Sequence, residues 1–161
     1  MTAEENMLEM YLVGCEFAGC ADFCMKEAGE VIPQFLLSPV VVNAAFACEV
    51  FLKLLLKLNG IENQKIHKLQ DLYNNLPRDT QVEIQNGTVL RCGKWTDIWG
   101  FECLGNVSDA FVEWRYAYEH DWSKSACMSI DVGFLIGFMN SLRDLCNQRF
   151  SWMAQSKKEK L

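Results

Sequence analysis

The segment Phe111-Val-Glu-Trp-Arg-Tyr-Ala-Tyr-Glu-His-Asp-Trp122 gathers more reactive side chains than any other stretch of this 161-residue chain. Within it, Arg115 and His120 are spaced Arg-x4-His. An imidazole titrates near neutral pH and can take or give a proton, and a guanidinium presents a planar fork of donors that matches a phosphate. Those two chemistries together suit cleavage of RNA without a metal. The imidazole would activate a ribose 2′-OH against its own phosphate, and the guanidinium would stabilise the pentavalent transition state. Plain helix geometry offers a competing reading. Five positions on an ideal helix turn about 140° beyond a full circle, so Arg115 and His120 do not share a face. Glu119 is the i,i+4 salt-bridge partner of Arg115, and Trp114 with Tyr118 is an i,i+4 aromatic pair suited to a core.

Other chemistry is sparse. The chain has no glycine-rich phosphate loop, no HExxH and no GxSxG. The second histidine, His67, lies between Lys65 and Lys68 and reads as a surface or packing residue. Eight cysteines, at 15, 20, 24, 48, 92, 103, 127 and 146, form no CxxC pair and no zinc spacing with histidine. Most fall in apolar helical runs, where a reduced thiol behaves as a small core residue. Met1-Thr-Ala-Glu-Glu lacks the basic-then-apolar pattern of a secretory leader. The expectation is a cytoplasmic protein with reduced thiols, no structural metal and no cofactor. Fifteen basic against twenty-one acidic residues leave a net charge of −6. That disfavours non-specific coating of nucleic acid or anionic membrane, while leaving room for a local basic site.

The elements that must carry these residues read as helices. Thr2 and Glu5 have capping-box spacing, and apolar residues recur at helical intervals from Leu8 to Cys24, with Gly29 and Pro33 closing the run. Ser38-Pro39 looks like the start of a second helix and Gly60 like its C-cap. The apolar run Val40–Leu58 is interrupted by Asn43, Glu49, Lys53 and Lys57, which share one stripe of the wheel. That is a buried helix with a polar edge rather than a membrane span, and Glu49–Lys53 is a favourable i,i+4 pair. Ile66, Leu69, Leu72, Tyr73 and Leu76 predict a short third helix stopped by Pro77. Residues 78–105 read as an irregular insert with a short helical piece, because Asn86-Gly87 between Val82/Ile84 and Val89/Leu90 resembles a hairpin turn. Ser108 suits the N-cap of a helix carrying Phe111, Trp114 and Tyr118. A long helix from Asp131 to Trp152 follows, with residues 153–161 as a frayed tail. The expected architecture is a single all-α domain, a bundle of four principal helices.

The order of elements from 38 to 150 resembles the HEPN superfamily (higher eukaryotes and prokaryotes nucleotide-binding domains). The resemblance rests on Asn43-Ala-Ala-Phe-Ala-Cys-Glu-Val-Phe-Leu-Lys53, on His67-Lys-Leu-Gln-Asp-Leu72, and on Arg115-x4-His120 before a final long helix. It implies a helical bundle that pairs as a homodimer and a metal-independent endoribonuclease of toxin–antitoxin or phage-defence type, leaving 2′,3′-cyclic phosphate ends. Arg115 would bind the scissile phosphate and His120 would be the general base or acid. Tyr116 and Glu119 would orient them, and Lys53, Lys65 or Lys68 would guide RNA. Pairing across a twofold axis would bring together groups that one helix face cannot. An antitoxin or nucleotidyltransferase is the protein partner such a system implies. The alternative is a non-catalytic HEPN module that binds a nucleotide or a protein partner.

Overall fold

The computed structural model describes residues 2–28, 34–62, 65–93, 95, 97–115 and 130–158. Seven helices lie among them: α1 (Ala3–Ala28), α2 (Gln34–Leu58), α3 (Leu69–Asn74), α4 (Arg78–Cys92), α5 (Asp97–Val107), α6 (Ala110–Arg115) and α7 (Val132–Lys158). There is no strand among the described residues, and the all-α expectation is met by a helical bundle.

The central element is α2, which packs against α1, α7, α6 and α3. Its apolar character leaves little choice: Val40, Val41, Ala44, Ala45, Ala47, Cys48, Phe51, Leu52 and Leu54–Leu56 are all buried. The stretch Leu36–Leu58 is long and apolar enough to cross a membrane, yet two thirds of it is covered by the fold itself. The start of α2 differs from the Ser38 cap expected. The helix begins at Gln34, with Pro39 inside it. At the sixth position of the helix, Pro39 lies past the amides that lack a helical acceptor, and α2 runs on through it without that one backbone bond. The end is as expected. Gly60 adopts φ +72°, its N–H donates to Lys57 O at 3.0 Å, and Ile61 N–H reaches Leu56 O at 2.9 Å. This paired closure is the Schellman motif.

Against α2, α1 lies close because Gly14 faces Phe51: a Cβ there would stand 2.5 Å from Phe51 Cε1. The capping box forms, with Thr2 N–H donating to Glu5 Oε2 at 2.6 Å and Glu5 N–H to Thr2 Oγ1 at 3.2 Å.

The expected irregular insert over 78–105 is overturned, because it holds two helices, α4 and α5. Thr80, Ile84 and Thr88 are the buried face of α4, at i,i+4 spacing. Two of the three are threonines, so a count of apolar residues misses the period. Of the residues that suggested strands, Ile84 is buried on this face, while Val82 and Leu90 point outward, Leu90 being 86% exposed. Gly87 makes no turn and instead admits α7: a Cβ there would sit 2.3 Å from Ser141 Oγ, the hydroxyl that donates to Ile84 O at 3.0 Å. Gly137 does the same service from the α7 side, opposite Cys92 Sγ. Ion pairs flank this antiparallel seam, Arg149–Glu83 at 3.0 Å and Arg91–Asp144. The residue that ends α4 is Gly93, left-handed at φ +81°.

Ser108 also differs from expectation. Val107 closes α5, and α6 starts after Asp109, one residue beyond Ser108; the Asp109 carbonyl accepts from Val112 and Glu113 N–H at 3.0 Å. The buried Ser108 caps a different helix: its Oγ accepts from Gln70 N–H at 3.0 Å and its carbonyl from Leu69 N–H at 3.3 Å, in the first turn of α3. The final helix opens as expected on Asp131, whose Oδ1 accepts from Phe134 N–H at 2.8 Å, and continues to Lys158 rather than stopping at 152.

Candidate functional site

The docking of α6 on α2 delivers Arg115 to the surface. Ala110 and Trp114 are the buried residues of α6 and hold it against the core. Phe111, on the neighbouring edge, is half-buried against Phe46 of α2, with ring centroids 5.0 Å apart. Phe46 in turn meets Phe17 of α1 edge-on at 4.5 Å. One turn beyond Phe111, the Arg115 guanidinium lies over that ring, 5.0 Å from its centroid. The three helices are thus tied by a run of rings whose outermost member is a guanidinium. This is a cation–π contact, worth on the order of 0.5–1 kcal/mol at an exposed site.

Residues Tyr116, Glu119 and His120, with the rest of 116–129, lie outside the described residues, as does Cys127. Of the proposed pair, the structure therefore places Arg115.

One turn along α2 from Phe46 is a polar cluster that the sequence showed only in part. Glu49 is 7% exposed, the most conspicuous buried charge among the described residues. The i,i+4 pair expected with Lys53 is present, Lys53 Nζ donating to Glu49 Oε1 at 2.8 Å. His67 Nδ1 reaches the same oxygen, also at 2.8 Å. Since a carboxylate only accepts, Nδ1 carries the proton in this contact. A buried carboxylate without such partners would be costly. His67 is thus a packing partner of α2 from the chain that precedes α3, as the sequence reading allowed. Nothing local pointed to Glu49, eighteen positions away in sequence.

The lysines expected to guide RNA separate into different roles. Lys53 is largely buried by its bond to Glu49, while Lys68 pairs with Asp109 at 3.5 Å beside the start of α6. Lys65 is exposed in the preceding turn. Lys68 and Arg115 thus mark opposite ends of α6, with His67 adjoining the first.

Beside this cluster, α1 and the last turns of α2 enclose a cleft of about 460 Å³ lined by Asn6, Met10, Lys53, Lys57, Gly60, Ile61 and Glu62. Lys57 Nζ donates to Asn6 Oδ1 across it at 2.5 Å. A second hollow, about 300 Å³, shares Asn6, Met10 and Lys53 and extends to Glu49 and Phe46. No group of histidine, cysteine, aspartate or glutamate among the described residues has the arrangement to hold a metal ion. The seven described cysteines are thiols: Cys48, Cys103 and Cys146 buried, Cys15, Cys24 and Cys92 half-buried, and Cys20 exposed. Burial pushes the Cys48 and Cys146 thiols well above their ordinary range.

The chain matches no family model, and comparisons with characterised proteins and with solved structures find no match either.

Proposed function

We propose that the protein is a metal-independent endoribonuclease of HEPN type, acting as a homodimer. The observation that carries the reading is Arg115: its guanidinium is set at the surface by stacking on Phe111, at the end of a short helix anchored by buried Trp114. A guanidinium carried at the surface on an anchored helix suits phosphate recognition. In the proposed reaction, His120 removes the proton of a ribose 2′-OH and the 2′-oxygen attacks the adjacent phosphorus. The 5′-oxygen of the next nucleotide leaves with a proton, giving a 2′,3′-cyclic phosphate. Arg115 stabilises the charge that builds on the phosphoryl oxygens. A twofold pairing would bring Arg115 and His120 of two copies into one groove, with Tyr116 and Glu119 as orienting neighbours.

The test is cleavage of single-stranded RNA in excess EDTA, with DNA as the resistant control because it lacks the attacking hydroxyl. His120→Ala should slow cleavage about 10²-fold or more, the scale of a lost acid–base group. Arg115→Lys should also fail, since a point charge does not reproduce the guanidinium fork. Unchanged rates in both variants, or no cleavage by the pure wild-type protein, would refute the nuclease reading.

A second reading is favoured by the cleft beside Lys53 and Lys57, whose 460 Å³ falls in the range of small-ligand sites. On that reading the protein is a non-catalytic module that binds a nucleotide. Nucleotide binding that survives His120→Ala and is lost in Lys53→Ala/Lys57→Ala, with no RNA cleavage, would select it.

A further inference from the structure

The outer face of α1 is an apolar stripe that stays largely exposed among the described residues. Leu8 is 49% exposed, Leu12 51% and Phe23 64%. With Gly19 they fall within about 60° of the helix circumference and span about 22 Å along its axis. Such side chains leave on the order of 300 Å² of apolar surface in water, the size of patch that marks an interaction site on a monomer. The stripe is notched. A Cβ at Gly19 would meet nothing within 4 Å, so the helix surface dips between Leu12 and Phe23. An incoming aliphatic side chain could seat there.

Charge decides what fits. Along one edge of the stripe run Glu9, Glu16 and Glu27, all exposed. Over its whole length α1 carries six carboxylates and one lysine, which is five of the six net negative charges of the chain. Two copies of such a helix would repel, as would RNA or an anionic membrane. We propose that the outer face of α1 docks a basic amphipathic helix of a partner protein. That helix would lay leucine-like residues at i,i+4 spacing along Leu8, Leu12 and Phe23, one of them into the Gly19 notch, with lysine or arginine along the Glu9–Glu16–Glu27 edge. The face lies on the opposite side of α1 from Phe17, so docking there leaves the ring run and Arg115 uncovered.

The probe is a fluorescent synthetic leucine–lysine helix of about 18 residues, long enough to span the stripe. Its control is a peptide of the same composition, shuffled to destroy the helical period. The expected result is anisotropy reporting micromolar binding of the periodic peptide and at least about tenfold weaker binding of the shuffled one. Leu12→Ser/Phe23→Ser should weaken binding about tenfold. Glu9→Lys/Glu16→Lys should weaken it and flatten its salt dependence. These positions are exposed, so circular dichroism and the melting temperature should stay close to wild type. Equal binding of both peptides, or indifference to Leu12→Ser/Phe23→Ser, would overturn the proposal. So would a wild-type dimer in sedimentation that this same double variant dissociates, because a second copy would then be the occupant.

Discussion

Two glycines on α1 should respond in opposite directions to the same substitution. Alanine in place of glycine inside a helix stabilises by about 0.5–1 kcal/mol, because the unfolded chain has less freedom to lose. At Gly19 that gain should appear in full, since the new methyl group would meet nothing within 4 Å. At Gly14 the same methyl would stand 2.5, 2.9 and 3.0 Å from three carbons of the Phe51 ring. The ring has no room to retreat. Phe51 is fully buried and lies 6.3 Å, centroid to centroid, from Tyr11. Relief must come from parting α1 and α2, the most extensive helix pair in the fold. Overpacking of this kind costs about 1–3 kcal/mol. Because the helix-propensity gain is common to both variants, the difference between Gly19→Ala and Gly14→Ala isolates the packing term. For a domain of this size it should open a gap of about 2–10 °C between their melting temperatures. Thermal and urea unfolding at neutral pH measure it. If Gly14→Ala is as stable as Gly19→Ala, the close approach of α1 to Phe51 described here is wrong.

Gly87→Ala should destabilise by about 1–3 kcal/mol, since it drives Ser141 Oγ from its bond to Ile84 O at the α4–α7 seam; urea unfolding checks this. Ser108→Ala should cost about 1 kcal/mol by uncapping α3, and should leave α6 intact because its first-turn bonds go to the Asp109 carbonyl; amide exchange at Gln70 and Val112 would distinguish the two helices. Thiol titration should label Cys20 in the native protein and reach Cys48 and Cys146 only after unfolding. Stability should be flat from neutral pH to about 9 and fall above it. Buried Cys48 and Cys146 hold their protons in the fold, while the unfolded thiols ionise near 9. Tyr11, pushed up to about 12 mainly by burial, adds a second loss from pH 10 upward, because the unfolded phenol ionises first. Denaturant titrations across this range test it, and a rise in stability above pH 9 would refute the assignment.

Much of the fold was legible because its signals are local. The Thr2/Glu5 box, the Gly60 stop, the Glu49–Lys53 pair and the apolar density of α2 depend on residues within a few positions of one another, and each is found as read. What sequence spacing could not decide is the purpose of a residue whose partner is remote. Gly87 carries the same signature whether it turns a hairpin or lets another helix approach, and only the arrival of Ser141 from α7 distinguishes the two. Ser108 has the chemistry of a cap, but the amide it caps is Gln70, brought beside it by the packing of α3 on α5. His67 beside two lysines reads as surface or packing and is indeed exposed, but the buried carboxylate it bonds is within reach only because the chain before α3 crosses α2 at Glu49. The site divides in the same way. The Arg-x4-His spacing marked Arg115, among five arginines, as the chain's candidate phosphate-binding one. Its position over Phe111, however, depends on Phe46 and Phe17 on two other helices, against which that ring packs in turn. Chemistry is a property of the side chain and can be read along the chain. Orientation is a property of the neighbours, and those exist only once α1, α2 and α6 have packed.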